Sequence, residues 1–217
     1  MSRLSRDRRG LFGAATLGLV VLLALAAPIV TPAERTGRAD VVATRFLSPL
    51  SSDGNGAFHL LGTDRLGRDV WTRLVFGARI SLGVGSLAML ISVLLGLGIG
   101  AVAGFWEGTT GVVLLGLTDF ALAVPRVVLL LLLAALWRPS AGLVIVVLGL
   151  TGWMPIARLV HGEVRALAAR PFVEGAIALG ARGGRVLLHH ILPNALTPVI
   201  VAAALGVGNA IMLEAGL

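Results

Sequence analysis

The feature that most constrains this chain is a set of long apolar blocks. The block from Ile80 to Trp106 carries no charge, and it exceeds the roughly 20 residues that a helix needs to cross a bilayer. Only helices and closed β-barrels satisfy their backbone groups in lipid, and barrel strands alternate polar and apolar residues, which these blocks do not. The sequence therefore predicts an all-helical integral membrane protein with about five transmembrane helices. They are expected near 11–30, 80–106, 111–137, 141–160 and 195–213.

Composition supports this class of protein and excludes several kinds of chemistry. Hydrophobic residues make up 57% of the chain and charged residues 13%, whereas soluble domains have about 45–50% and 25%. All 18 basic residues are arginine, and there is no cysteine. Without lysine the chain cannot form a P-loop or a Schiff base, and without cysteine it has no disulfide or thiolate site. Any ATP that drives this protein must therefore bind to another polypeptide.

The polar segments predict the orientation of the chain in a cell inner membrane. Residues 1–10 form a tail with four arginines, Arg3, Arg6, Arg8 and Arg9. Basic flanks favour the cytoplasm, so we expect a cytoplasmic N-terminus and contact with lipid, not nucleic acid. The first apolar block exceeds the length usual in a signal peptide, which favours an uncleaved helix at 11–30. Alternation then makes 31–79 an extracytoplasmic loop within this multi-pass protein.

The segment 161–193 is the most informative polar stretch of the predicted membrane core, 80–217. Pro171 is suited to start a helix, and Gly180 is suited to end it. A second amphipathic piece begins at Arg182 and is expected to end or kink at Pro193. This predicts two short helices joined at a glycine on the cytoplasmic side. An ordinary basic connector lying on anionic headgroups is the alternative interpretation.

The same segment resembles the EAA loop of ATP-binding-cassette importer permeases. Five residues match the loop pattern: Glu174, Ala176, Gly180, Leu192 and Pro193. Two positions depart from the pattern. Gly175 stands where alanine is usual, and His190 stands where isoleucine is usual, with Ile191 one place later. The form His-Ile-Leu-Pro-Asn is typical of the dipeptide/oligopeptide/nickel branch. A second segment, from Gly62-Thr63-Asp64 to Gly67-Arg68-Asp69, resembles the sequence that leads into the second span in the same branch.

This resemblance implies a type I importer permease fold and a division of labour between subunits. The implied partners are a homologous second permease subunit, two ATP-binding-cassette ATPase subunits and an extracytoplasmic substrate-binding protein. ATP and Mg²⁺ are expected on the ATPase, and no cofactor on this chain. The substrate is expected to be a peptide, or else nickel or another small solute. The chain also stops at Leu217, where family members continue, so we expect it to lack the last span.

The resemblance further implies that the loop docks on the ATPase subunit as a coupling helix. Glu174 is expected to have a structural role at the helix N-terminus, and the small residues are expected to let the partner approach closely. The predicted coupling residues are Glu174, Gly175, Ala176, Gly180, Ile191, Leu192 and Pro193.

Other patterns within the apolar blocks indicate packing and two unusual charges. Gly96, Gly100 and Gly104 recur every fourth residue, which is typical of closely packed membrane helices. Asp119 and Arg126 are ionisable residues in the block 111–137, and such residues usually face a cavity or a partner. On one helix they would share a face but lie too far apart for contact. A pore-lining or helix-pairing role and a purely structural role both remain open.

Metal binding and catalysis have little support in the sequence. His161 and Glu163, and the adjacent His189 and His190, lack the spacing of metal ligands. We predict neither a metal site nor a catalytic residue. Two other hypotheses stay open: a truncated, non-transporting membrane protein of the same ancestry, and a membrane-embedded enzyme that uses His161 and Glu163.

Overall fold

A computed structural model describes residues 8–31, 44–54, 56–106, 108–136 and 140–216. Arg3, Arg6, most of the predicted tail and residues 32–43 of the predicted outer loop lie outside the described residues. The helices are α1 (Arg8–Val30), α2 (Val70–Phe105), α3 (Thr109–Leu122), α4 (Arg126–Leu136), α5 (Ala141–Ala168), α6 (Pro171–Ala178), α7 (Gly183–Val186) and α8 (Leu192–Ala215). A π-helical turn, Leu187–Ile191, joins α7 to α8, and two short strands, β1 (Ser51–Ser52) and β2 (Phe58–His59), pair antiparallel.

The predicted all-helical membrane fold is confirmed. Four helical runs in the described residues are long and apolar enough to cross a membrane: Arg8–Val30, Val70–Phe105, Ala141–Ala168 and Gly183–Ala215. A fifth candidate span is broken, because Thr109–Leu122 and the helix that follows meet at an angle of 65°. Four to five spans agree with the number predicted from the apolar blocks.

Helix boundaries differ from the predicted ones where polar residues continue a helix. Helix α2 begins at Val70, ten residues before the apolar block, because Asp69 accepts a hydrogen bond from the Thr72 N–H at 2.7 Å and caps the helix. Helix α5 continues through Arg158 and Glu163 to Ala168. Hydropathy locates the apolar part of a span, whereas caps and backbone hydrogen bonds decide where the helix ends.

The block 111–137 forms two helices because of Pro125. Proline has no N–H and disfavours the helical conformation of the residue before it. The Ala121 carbonyl accepts a hydrogen bond from the Val124 N–H instead, at 3.3 Å. The single helix predicted for this block is therefore replaced by α3, a short break and α4.

The chain divides into two compact units, residues 1–82 and 83–217. In the second unit, close contacts fix the relative direction of α2 and α5. A Cβ atom added at Gly96 would lie 2.7 Å from Ile156 Cβ, and one added at Gly104 would lie 2.8 Å from the His161 carbonyl oxygen. One added at Gly100, between them, would clash with the Ala157 carbonyl oxygen. Residue numbers rise together along both helices, so α2 and α5 are parallel.

The parallel arrangement of α2 and α5 indicates how α3 and α4 cross the membrane. Ser92 donates a hydrogen bond to the Gly149 carbonyl at 3.0 Å, so Ala141 lies level with about residue 84 of α2. The chain leaves α2 at Phe105 and must return about 30 Å, at 1.5 Å per residue, before α5 begins. Because that distance is about the thickness of a bilayer core, α3 and α4 together cross as one span.

In the first unit, the residues between Thr44 and Asp69 form a turn-rich loop. The Asp64 side chain accepts hydrogen bonds from the backbone N–H groups of Leu66 and Arg68 at 2.8 and 2.9 Å. Hydrogen bonds from Arg68, Leu66 and Arg73 hold the pKa of Asp64 below its ordinary value against the effect of desolvation. Gly67 has a φ of 71°, which glycine adopts without strain. The second sequence motif thus forms a compact turn ahead of α2.

Candidate functional site

The predicted coupling segment begins with helix α6, whose ends are well defined. Pro171 occupies the start of the helix. At the other end, the Gly180 N–H donates to the Ile177 carbonyl at 2.9 Å, and the Ala181 N–H donates to the Ala176 carbonyl at 3.1 Å. These two bonds form a Schellman motif with Gly180, at φ 86°, in the left-handed position. Gly180 therefore has a structural task within this chain.

One face of α6 packs inward and the other is exposed. Val173 is buried and belongs to the same apolar cluster as Val160 and Val164 of α5. The exposed side carries large apolar groups, with Phe172 exposed by 46%, Ile177 by 54% and, just after the helix, Leu179 by 91%. Such an apolar face on a short connecting helix is suited to contact with another surface.

Gly175 and Glu174 lie on this exposed side. No heavy atom of the described chain comes within 4 Å of a Cβ atom built on Gly175, and its φ is not in the left-handed region. Glycine inside a helix costs roughly 0.5–1 kcal/mol relative to alanine, and nothing in the described chain requires it here. Glu174 lies in the first turn of α6 and is exposed.

The second half of the segment differs from the short helix that the sequence predicts. Helix α7, the π-helical turn and α8 form one helical run from Gly183 to Ala215. Because Pro193 lacks an N–H, the ladder changes register before it, and the Leu192 N–H bonds to the Leu187 carbonyl. Pro193 therefore lies in the first turn of α8 and does not end the helix.

Two of the three predicted coupling residues in this second half pack inside the chain. Ile191 is fully buried in the cluster that also contains Val173 and Val186, and Leu192 packs against it. Pro193 is exposed. The Gly183 position lies against Phe105 at the end of α2, where a Cβ atom would be 3.2 Å from the ring. The whole segment thus lies at the end of the second unit where α2 and α5 finish.

Asp119 and Arg126 have separate partners. Arg158 Nε of α5 lies 2.9 Å from Asp119 Oδ1, and both side chains are about half exposed. This ion pair joins α3 to α5. The expectation that Asp119 and Arg126 share one helix is wrong, because the break at Pro125 places them on different helices.

Arg126, the first residue of α4, faces a cavity of about 300 Å³. Its Nη2 donates to the Leu148 carbonyl at 3.1 Å, while its buried Nε has no hydrogen-bond partner in the described part of the chain. The cavity is lined by α2, α5 and α8 as well as by Arg126. Its lining on α5 extends from Leu148 to Leu159, in the middle of that helix.

Sequence reasoning missed Ser92 and its glycine partners beside this cavity. Ser92 is buried and bonds to the carbonyl of Gly149. A Cβ atom at Gly149 would lie 2.9 Å from the Ile91 side chain, and one at Gly152 would clash with Ser92. The small residues at 149 and 152, together with a hydroxyl within an uncharged block, are the pattern that would have indicated this contact.

Within the described residues, no three histidine, aspartate or glutamate side chains are grouped as metal ligands. His161 lies in the last third of α5 and is half-buried, and Glu163 follows it toward the helix end.

Comparison with known proteins identifies similar sequences over the whole chain. The family described as binding-protein-dependent transport system inner membrane component matches residues 96–217. A dipeptide transport system permease protein of Alkalihalophilus pseudofirmus is 33% identical over 99% of this chain and 68% of its own length. An oligopeptide transport system permease protein of Bacillus subtilis is 33% identical over 100% of this chain and 68% of its own. A glutathione transport system permease protein of Pectobacterium atrosepticum is 30% identical over 76% of this chain and 55% of its own.

Proposed function

The chain belongs to the family of binding-protein-dependent transport system inner membrane components, and we propose that it is a permease subunit of an ATP-driven peptide importer. It would form half of a translocation path and couple to a separate ATPase through the segment 171–193. The observation that carries the coupling role is the exposed apolar side of α6, formed by Phe172, Ile177 and Leu179. Gly175 lies on this side with open space around it, and its small size would let the surface of another subunit approach the helix closely.

The exposed side of α6 has the composition expected of a docking surface. Phe172, Ile177 and Leu179 supply apolar area, and Glu174 supplies a charge for a basic group on the partner. Apolar contacts in the centre and charges at the rim are the usual anatomy of protein interfaces. We infer that the ATPase subunit covers this side of α6.

The buried side of α6 supports transmission of movement into the membrane. Val173 packs in one cluster with Val160 and Val164 of α5, and with Ile191 ahead of α8. Protein interiors are close-packed and transmit strain. A displacement of α6 by the ATPase would therefore move α5 and α8, which line the cavity. This is the mechanical link that alternating access requires.

Charge supports a cytoplasmic location for the coupling segment. Four exposed arginines lie at or near this end: Arg165, Arg170, Arg182 and Arg185. Basic residues near the ends of spans favour the cytoplasmic side. The N-terminus would then also be cytoplasmic, and the 44–69 loop would lie outside, where the substrate-binding protein delivers its cargo.

The substrate class rests on the relatives. Their names give dipeptide, oligopeptide and glutathione transport, so we propose a peptide before nickel or another small solute. A homologous second permease subunit would complete the path. ATP and Mg²⁺ would bind to the ATPase subunits, and this chain would perform no chemistry of its own.

Co-purification with the ATPase tests the coupling role. Gly175→Trp adds bulk to the exposed face, and we expect at least a tenfold loss of ATPase retained from detergent extract. We expect the fold to be kept because a Cβ atom at this exposed position meets no heavy atom of the described chain. Gly142→Trp is the matched control, since Gly142 is also exposed with open space but lies in the first turn of α5. Equal retention of the ATPase by the two variants would contradict the proposed docking surface, and no retention by the native chain would favour a non-transporting protein.

A further inference from the structure

We infer that Arg126 binds the free carboxylate of a peptide inside the cavity between α2, α5 and α8. This inference rests on the proposed function for the identity of the ligand as a peptide. The binding chemistry itself, an anion held by a guanidinium within apolar walls, is argued from the described residues alone.

The guanidinium of Arg126 is only partly satisfied by the protein. One hydrogen bond, from Nη2 to the Leu148 carbonyl, holds the group against α5, and it is the guanidinium's one bond to a described residue. The buried Nε has no partner among those residues. A guanidinium carries five N–H donors in a planar fork that matches a carboxylate. The fixed Nη2 bond therefore orients the group and leaves donors for a ligand.

No acidic side chain of the described cavity lining neutralises this charge. Arg126 is the single charged residue of that lining. The acidic residue in the same broken span, Asp119, is paired with Arg158 at 2.9 Å and does not line the cavity. A charge within a membrane bundle is costly unless it is paired, so a negatively charged ligand would supply the missing partner.

The break in the third span adds to the attraction for an anion. Arg126 is the first residue of α4, an 11-residue helix that starts directly after Pro125. The N-terminus of a helix carries a partial positive charge. In transporters, helices interrupted near the middle of the membrane often direct such N-termini at anionic groups of the substrate. Here the N-terminus of α4 and the guanidinium of Arg126 both place positive charge beside the cavity.

The rest of the cavity is suited to an apolar peptide side chain. Met89, Leu148, Ile156 and Leu205 provide apolar walls, and Gly152 and Gly206 also line the cavity. Asn209 adds an exposed amide that can bond to a peptide group. The volume of about 300 Å³ is at the lower end of the range for small-molecule sites, so a short peptide is the expected occupant.

Ligand binding to the purified 217-residue chain tests this inference. The chain is placed in phosphatidylcholine nanodiscs and titrated by calorimetry with dileucine and with leucyl-leucinamide, which lacks the free carboxylate. We expect dileucine to bind at least tenfold more tightly than the amide. In Arg126→Gln this preference is expected to disappear, and in Arg126→Lys it is expected to persist in part. Arg165→Gln, which removes an exposed arginine near the end of α5, is expected to keep the preference.

Several outcomes would overturn the inference. They are equal affinity for the two ligands, a preference unchanged in Arg126→Gln, and no binding of dileucine. Binding of phosphatidylglycerol that depends on Arg126, without binding of dileucine, would assign the guanidinium to a lipid headgroup instead. If Arg126→Gln fails to fold, the comparison of the two ligands on the native chain and on Arg126→Lys still decides the matter. Because no ATPase is present, failure of coupling would leave this result unchanged, and the two proposals can fail separately.

Discussion

The glycines of α2 and the glycine of α6 are small for different reasons. At Gly96, Gly100 and Gly104 an added Cβ atom would meet α5, so this chain itself requires glycine there. At Gly175 an added Cβ atom would meet nothing in the described chain. Gly175 lies on the exposed apolar side of α6, where its small size leaves room for another surface. The difference separates residues that hold the subunit together from residues that are available to a partner.

The largest effect is expected from a bulky residue in the α2–α5 contact. Gly100→Leu would force the side chain against the Ala157 carbonyl and Val160. Overpacking of this kind costs about 3 kcal/mol, and we expect a clear loss of thermal stability in detergent, followed by tryptophan fluorescence. Gly98→Leu is the control on the same helix, because Gly98 is exposed with open space around it. Equal destabilisation by both substitutions would remove the distinction between the two kinds of glycine.

A smaller effect is expected at the end of α6. Gly180→Ala places a side chain in the left-handed region at φ 86°, which costs about 1 kcal/mol or somewhat more. We expect faster hydrogen exchange of the Gly180 and Ala181 amides, which close the Schellman motif. Gly175→Ala in the same helix is expected to slow exchange, because alanine is the better helix former. Faster exchange in Gly175→Ala would mean that Gly175 has a structural task in this chain.

The smallest effect is expected from the removal of a carboxylate, either Asp69 ahead of α2 or Glu174 on α6. Asp69 caps α2 and lies 2.9 Å from His59 Nδ1, whereas Glu174 is exposed on α6. Asp69→Ala is expected to cost about 1 kcal/mol, as for other N-caps, and Glu174→Ala only a few tenths. Limited proteolysis of the 44–69 loop measures the loss of stability in Asp69→Ala, with Glu174→Ala as the control. Equal protease resistance of Asp69→Ala and the native chain would contradict the capping role.

The stabilisation by the Asp69 cap is expected to depend on pH, because the pKa of Asp69 is shifted in the folded chain. Burial raises this pKa, but hydrogen bonds from Thr72 and His59 outweigh the effect of burial and hold the pKa below its ordinary value. A lowered pKa in the folded state means that the stabilisation is complete above the unfolded value, and it is lost as the pH falls through the folded value. We expect the loop of the native chain to lose protease resistance below about pH 4, and Asp69→Asn to be less sensitive to acid.

The sequence predicts the fold well because apolar blocks and their lengths determine membrane spans directly. It predicts the helix ends less well, because Val70 and Ala168 depend on a cap and on backbone hydrogen bonds that hydropathy does not detect. The break at Pro125 was readable from its proline, yet the bend of 65° depends on packing between helices.

For the candidate sites, too, the sequence predicts which residues matter better than it predicts their contacts. The coupling residues are predicted through a resemblance to a family, and their local contacts emerge only from the structure, where Gly180 closes a cap and Ile191 is buried. The partner of Arg126 is a backbone carbonyl 22 positions away, and the partner of Asp119 lies on another helix. Spacing along one sequence does not predict contacts of this kind.

The most direct test of the central claim uses the absence of cysteine from this chain. Single cysteines are placed at Gly175, at the buried Val173 and at the control position Gly142, and each is labelled with a maleimide reagent before and after the ATPase subunits are added. If α6 is the docking surface that we propose, labelling at 175 is rapid and is blocked by the ATPase, labelling at 173 is slow, and labelling at 142 is unchanged by the ATPase. Labelling at 175 that remains rapid in the assembled complex would contradict it.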